Sequence, residues 1–137
     1  MNLKRFILAA AAVFVTTAVL EYLIHWVFLR AEYEATQQLW RTEAEMKTGL
    51  MLIVGIITAL LFVYIFTKGY EGRGLLEGVR YGLIIGVFMM VPRAYMSYAV
   101  MPIPYSLALK WFLYGLVEFI VIGTVAAAIY RAKVPAS

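Results

Sequence analysis

The sequence predicts an all-α fold, an integral membrane four-helix bundle with a short interfacial helix between its first and second spans. Three observations carry this expectation. The 137 residues are 64% hydrophobic and only 15% charged, far more apolar than a water-soluble domain. Four apolar runs are each long enough to cross a bilayer, which takes about 20 helical residues. The alternation of a membrane β-barrel is missing, so backbone groups placed in lipid can be satisfied only within helices. The length suits a single transmembrane domain.

The first span is expected over residues 6–29, interrupted only by Glu21 and His25. Its start, MNLKRFILAAAAVFV, has the basic and apolar regions of a signal peptide, but the apolar run continues to Leu29, which favours an uncleaved span. The following RAEYEATQQLWRTEAEMK is rich in helix formers and sets Tyr33 and Trp40 seven apart, on one face of a short surface helix. The second span, 48–67, carries no charge, and KGYEGRG after it is a polar, glycine-rich turn. The third span, 75–100, contains Pro92, which should kink the helix as a hinge and free a carbonyl near Phe88. MPIPYSLAL then runs along the outer interface, where Tyr95, Tyr98, Tyr105 and Trp111 belong to an aromatic belt. The fourth span is expected over 111–130, with Glu118 as its one charge.

Charge sets the orientation. With both termini on one side, that side holds Lys4, Arg5, Lys68, Arg73, Arg80, Arg131 and Lys133 against Arg30, Arg41, Lys47 and Lys110 opposite. The bias places both termini in the cytoplasm of a bacterial inner membrane. The formal net charge of +4 is thereby explained without a nucleic-acid partner, since the basic residues form no dense stripe. The chain has no Cys, which removes disulfides, thiolate metal sites, a Cys nucleophile and c-type haem attachment. It has no phosphate-binding glycine loop, and no Asp for a catalytic triad.

Depth along the spans singles out one constellation. Glu21 lies eight residues before Leu29, Arg93 seven before Val100, and Glu118 seven after Trp111, so each sits about 10–12 Å below the outer end of its helix. His25, four residues after Glu21, shares its face. A lone charge facing lipid at this depth costs a few kcal/mol, roughly, on insertion scales. Glu21, His25, Arg93 and Glu118 are therefore expected to face one another as a buried polar cluster, with Arg93 bridging the two carboxylates. One arginine cannot neutralise two acids, so the cluster should also hold a proton.

No cofactor is required by the sequence. If a metal is held, Glu21, His25 and Glu118 are the ligands on offer. The Glu-x-x-x-His spacing departs from the Glu-x-x-His of di-iron bundles and occurs once. His25 is the only histidine available to a haem or chlorophyll. Met46, Met51, Met89, Met90, Met96 and Met101 all fall in the outer half, without the close spacing of a copper site. Gly78, Gly82 and Gly86 repeat every four residues on the third span, and Gly115 and Gly123 on the fourth are spaced as a complementary groove. Such stripes let helix backbones approach closely, within the bundle or in a homo-oligomer or larger membrane complex.

The stretches LEYLIHWVFL, YEATQQLW with the following EM, and MPIPYSLALKWFLYGLVE resemble a group of small bacterial four-span membrane proteins classed as a domain of unknown function. The resemblance implies a natural four-span protein and no particular activity. The residues themselves lead to a non-enzymatic accessory or structural subunit, embedded in the lipid bilayer and organised around the cluster. A proton-coupled transporter or solute carrier, and a cofactor-holding subunit of an electron-transfer or light-harvesting complex, are the alternatives.

Overall fold

The structure, a computed structural model, describes residues 1–131; Lys133, one of the cations used to orient the chain, lies outside them. Helices dominate, and no strand occurs among the described residues. They are α1 (Leu3–Tyr22), α2 (Arg30–Ala35), α3 (Thr48–Lys68), α4 (Leu75–Val91), α5 (Ser97–Val100) and α6 (Tyr105–Ile129). Two π-helical turns join the pieces of longer helices. Leu23–Phe28 continues α1, and Pro92–Met96 links α4 to α5. Four helices are thus long and apolar enough to cross a membrane: Leu3–Phe28, Thr48–Lys68, Leu75–Val100 and Tyr105–Ile129.

Local chemistry sets the helix ends. Asn2 caps α1, its Oδ1 accepting the Arg5 amide at 3.1 Å, so the first helix starts at Leu3 rather than Phe6. The fourth starts at Tyr105, six residues before the expected Trp111. Pro104 supplies an extended N-cap with φ −62° and ψ 144°, and Lys110 is tolerated inside the helix because Glu32 pairs with it. Between α1 and α3 a single helix gives way to α2 followed by two 3-10 turns, Gln37–Leu39 and Glu43–Glu45. Thr36 ends α2 by donating its hydroxyl to the Glu32 carbonyl at 2.7 Å while accepting the Trp40 indole N–H at 2.8 Å. Tyr33 and Trp40 still meet, edge to face at 5.5 Å, but through that turn and not through helical spacing.

Pro92 has no amide hydrogen to give to the preceding turn. The chain remains helical through it and absorbs the missing bond in the π turn Pro92–Met96. The turn before α4 uses two glycines in the left-handed region, Gly72 at φ 74° and Gly74 at φ 75°, where a side chain would be strained. This bends the loop around Glu77, whose carboxylate accepts the amides of Glu71 at 2.5 Å and Arg73 at 2.8 Å.

Helix α6 packs on both α4 and α1, and α1 also packs on α3. The α4–α6 contact is the closest. A Cβ on Gly78 would fall 2.3 Å from the Gly123 carbonyl oxygen, and one on Gly82 2.2 Å from that of Phe119. Gly86 faces Phe119 and Leu116, while Gly115 is covered by Met90. The bundle has two cores. One, at the end that carries the termini, contains Ala9, Val13, Phe62, Phe66, Ile122 and Ala126. The other, beneath α2, contains Ile24, Leu29, Met90, Ala94, Leu107 and Trp111. The start of α1 and the end of α6 meet at the first of these, where the Asn2 amide donates to the Tyr130 hydroxyl at 3.4 Å.

Candidate functional site: a polar chain beneath α2

Glu21 occupies the last turn of α1, and the π turn that follows presents His25. The His25 Nε2 lies 3.1 Å from a Glu21 carboxylate oxygen. On the other side of the ring, Nδ1 lies 2.6 Å from the Tyr33 hydroxyl. The same hydroxyl accepts the Trp111 indole N–H at 2.8 Å. An indole nitrogen can only donate, and the Tyr33 oxygen that accepts from it still has its own hydrogen to give to His25 Nδ1 when His25 carries its proton on Nε2. The His25 proton then sits on Nε2 and points at Glu21. This tautomer satisfies every polar atom in the series Trp111, Tyr33, His25, Glu21.

Glu118, on the buried side of α6 and 6% exposed, extends the series. Its carboxyl lies near that of Glu21, and the two act on each other electrostatically. Glu21 is more open than its partner, with 40% of its side chain exposed.

Arg93 does not bridge the carboxylates as expected from the sequence. It stands in the π turn after Pro92, is exposed, and forms no ion pair within 4.0 Å among the described residues. Its charge nonetheless acts on Glu21, Glu118 and the Tyr33 hydroxyl. Two physical reasons account for the difference. Glu21 already has a partner on its own helix in His25, and a π turn shifts the following residues away from the stripe of a regular helix. The cluster expected as a buried quartet is therefore a linear chain with an arginine at its open flank.

The α2 segment covers this chain and is clasped to α6. Lys110 pairs with Glu32, and its ammonium holds the Glu32 carboxyl below the usual carboxylate range. Trp40 packs edge-on against both Tyr33 and Trp111, at 5.5 and 5.9 Å. Burial pushes the Tyr33 hydroxyl above its ordinary value, partly offset by the Trp111 hydrogen bond. Tyr33, Trp111, Glu32 and Lys110 were not singled out for the site from sequence. The one available signal is spacing, since Tyr33 follows His25 by eight residues, about two helical turns.

Metal ligation is not assembled. Among the described residues no group of three or more His, Cys, Asp or Glu side chains is disposed to hold an ion. The ligand set considered above fails at its nitrogen donor, because His25 spends both ring atoms on Glu21 and Tyr33. The methionines are likewise dispersed: Met90 packs over Gly115, while Met46, Met51, Met89 and Met96 are exposed.

The chain matches no protein-family model, no curated protein and no solved structure.

Proposed function

We propose that this protein is a non-enzymatic, multi-pass subunit of a bacterial inner membrane, with both termini in the cytoplasm and α2 at the outer interface. Its role is structural or accessory, and the Trp111–Tyr33–His25–Glu21–Glu118 chain organises its outer half. The reading includes kinship with the small four-span bacterial proteins that the sequence resembles. One observation carries it. Arg93, inside a helix long enough to cross a membrane, is exposed and lacks a close acidic partner among the described residues. A charge in that position is costly in lipid unless protein or water meets it, and an acceptor on a neighbouring membrane subunit or a second copy supplies the missing contact.

A transport role is less well supported by the geometry. The polar chain is continuous only on the α2 side of Glu118. Beyond it the packed cluster of Ala9, Val13, Phe62, Phe66, Ile122 and Ala126 fills the half toward the termini, and a carrier would have to open that core.

The test compares the native chain with Arg93→Gln after extraction in mild detergent. We expect the native protein to migrate as an assembly well above its 15.5 kDa monomer mass and the variant to fall toward the monomer. Two monomeric preparations with equal stability would overturn the proposal.

A further inference from the structure

Toward the end where α1 starts, a cleft of about 130 Å³ opens between α3 and α4, lined by the apolar Ile65, Phe66 and Ile84, by Gly69 and Tyr81, and by the charged pair Glu77 and Arg80. Its walls are apolar toward the middle of the bundle. Tyr81, in the wall, donates its hydroxyl to the Phe62 carbonyl at 2.5 Å. The mouth is built differently. Glu71 offers one oxygen to Arg80 and the other to Arg73, each at 2.8 Å, which holds two guanidinium groups side by side. Lys68, at the end of α3, lies over the Tyr64 ring at 4.8 Å.

The cations outnumber the acids, with Lys68, Arg73 and Arg80 against Glu71 and Glu77. Glu71 is a single carboxylate shared by two arginines, each of which spends one nitrogen on it and carries five N–H donors in all. Glu77 is 4% exposed and already accepts two loop amides, so its charge is turned inward to the backbone. Arg80 and Arg73 are 49% and 70% exposed. An apolar slot with Arg80 in its wall, and Arg73 tied to it through Glu71, is complementary to a molecule with a hydrocarbon tail and an anionic head.

We propose that this cleft is a binding site for an anionic phospholipid of the cytoplasmic leaflet. Its phosphate sits on Arg80 and Arg73, with Lys68 adding charge, and an acyl chain lies between Ile65 and Ile84. Guanidinium forks match phosphate oxygens in pairs, and basic pockets between spanning helices on the cytoplasmic side favour anionic headgroups. The proposal rests on the membrane reading above, with Lys68 and Arg80 on the cytoplasmic side.

The experiment measures lipid retained by the full chain in detergent, using native mass spectrometry with phosphatidylglycerol and, separately, phosphatidylcholine. The native chain is expected to retain phosphatidylglycerol in preference. Arg80→Gln should lower that retention about fivefold, the worth of one basic residue near an anionic surface. Ile84→Trp should lower retention of both lipids by filling the slot. Equal retention of the two lipids by the native chain would overturn the proposal, and that comparison needs no variant to fold. Retention unchanged by either substitution would overturn it as well. A rise in thermal stability with inorganic phosphate equal to that with phosphatidylglycerol would replace the lipid by a free anion. Solubility without detergent, read before any lipid is added, would instead overturn the membrane reading itself.

Discussion

The Tyr33 hydroxyl joins three parts of the bundle. It receives the Trp111 indole hydrogen and serves His25 Nδ1, and so connects α2 to both α6 and the end of α1. Removing it leaves two partly buried polar nitrogens without their partner, which costs about 1–3 kcal/mol. Tyr33→Phe is therefore expected to lower thermal stability in detergent, whereas Tyr22→Phe, at a tyrosine that is 60% exposed, should change it little. Equal melting temperatures for the two variants would count against the hydrogen-bond chain. At this scale the sequence was only partly legible. Glu21 and Glu118 stand out because a carboxylate inside an apolar run is expensive and must find company; Glu21 has it in His25, and Glu118 is buried in α6. Arg93 follows the same rule in its type but not in its partner, because a single π turn redirects a side chain without leaving a mark in hydrophobic periodicity.

Helix α4 is defined by the stripe Gly78, Gly82, Gly86. Its period of four is visible in the sequence, and the stripe lies against α6. The contact is backbone to backbone at Gly82, so no side-chain rotation can relieve an added methyl group. Gly82→Ala should force the helices apart and destabilise by 1–3 kcal/mol or more, roughly the cost of overpacking. Gly49 lies in the first turn of α3 with nothing within 4 Å of a built Cβ. Gly49→Ala is expected to be neutral or to stabilise by up to about 1 kcal/mol through helix propensity. Thermal unfolding of the two variants in one detergent checks this, and a harmless Gly82→Ala would contradict the close α4–α6 approach. Element boundaries were less legible than element faces. Pro104 and Asn2 begin helices several residues outside the apolar runs, since capping chemistry and not hydropathy decides where a helix starts. Glu77 is the counterpart at a loop. It reads as a surface charge at a helix start, yet Gly72 and Gly74 wrap the chain around it.

For the whole molecule, the arrangement of ends is the feature that orientation rests on. The N-terminus and the end of α6 lie together, α2 sits at the opposite end, and the positive charges gather toward the termini. The absence of native Cys allows a direct test by single-cysteine labelling in intact cells. Glu43→Cys should react with a membrane-impermeant maleimide from outside, and Lys4→Cys only after permeabilisation; the reverse pattern would invert the topology. The sequence by itself determined that this is a helical protein with four lengths suited to a bilayer, because apolar composition and run length follow from the residues alone. It also marked the glycine stripe and the acids that must be sheltered. Only the tertiary structure decided that α6 is the helix packed on both α1 and α4, that Tyr33 and Trp111 complete the polar chain, and that Arg93 stands at its open flank. Those depend on rotation about helix axes, on π turns and on which ends fold back, and a residue's neighbours across the bundle are set by geometry that no local pattern records.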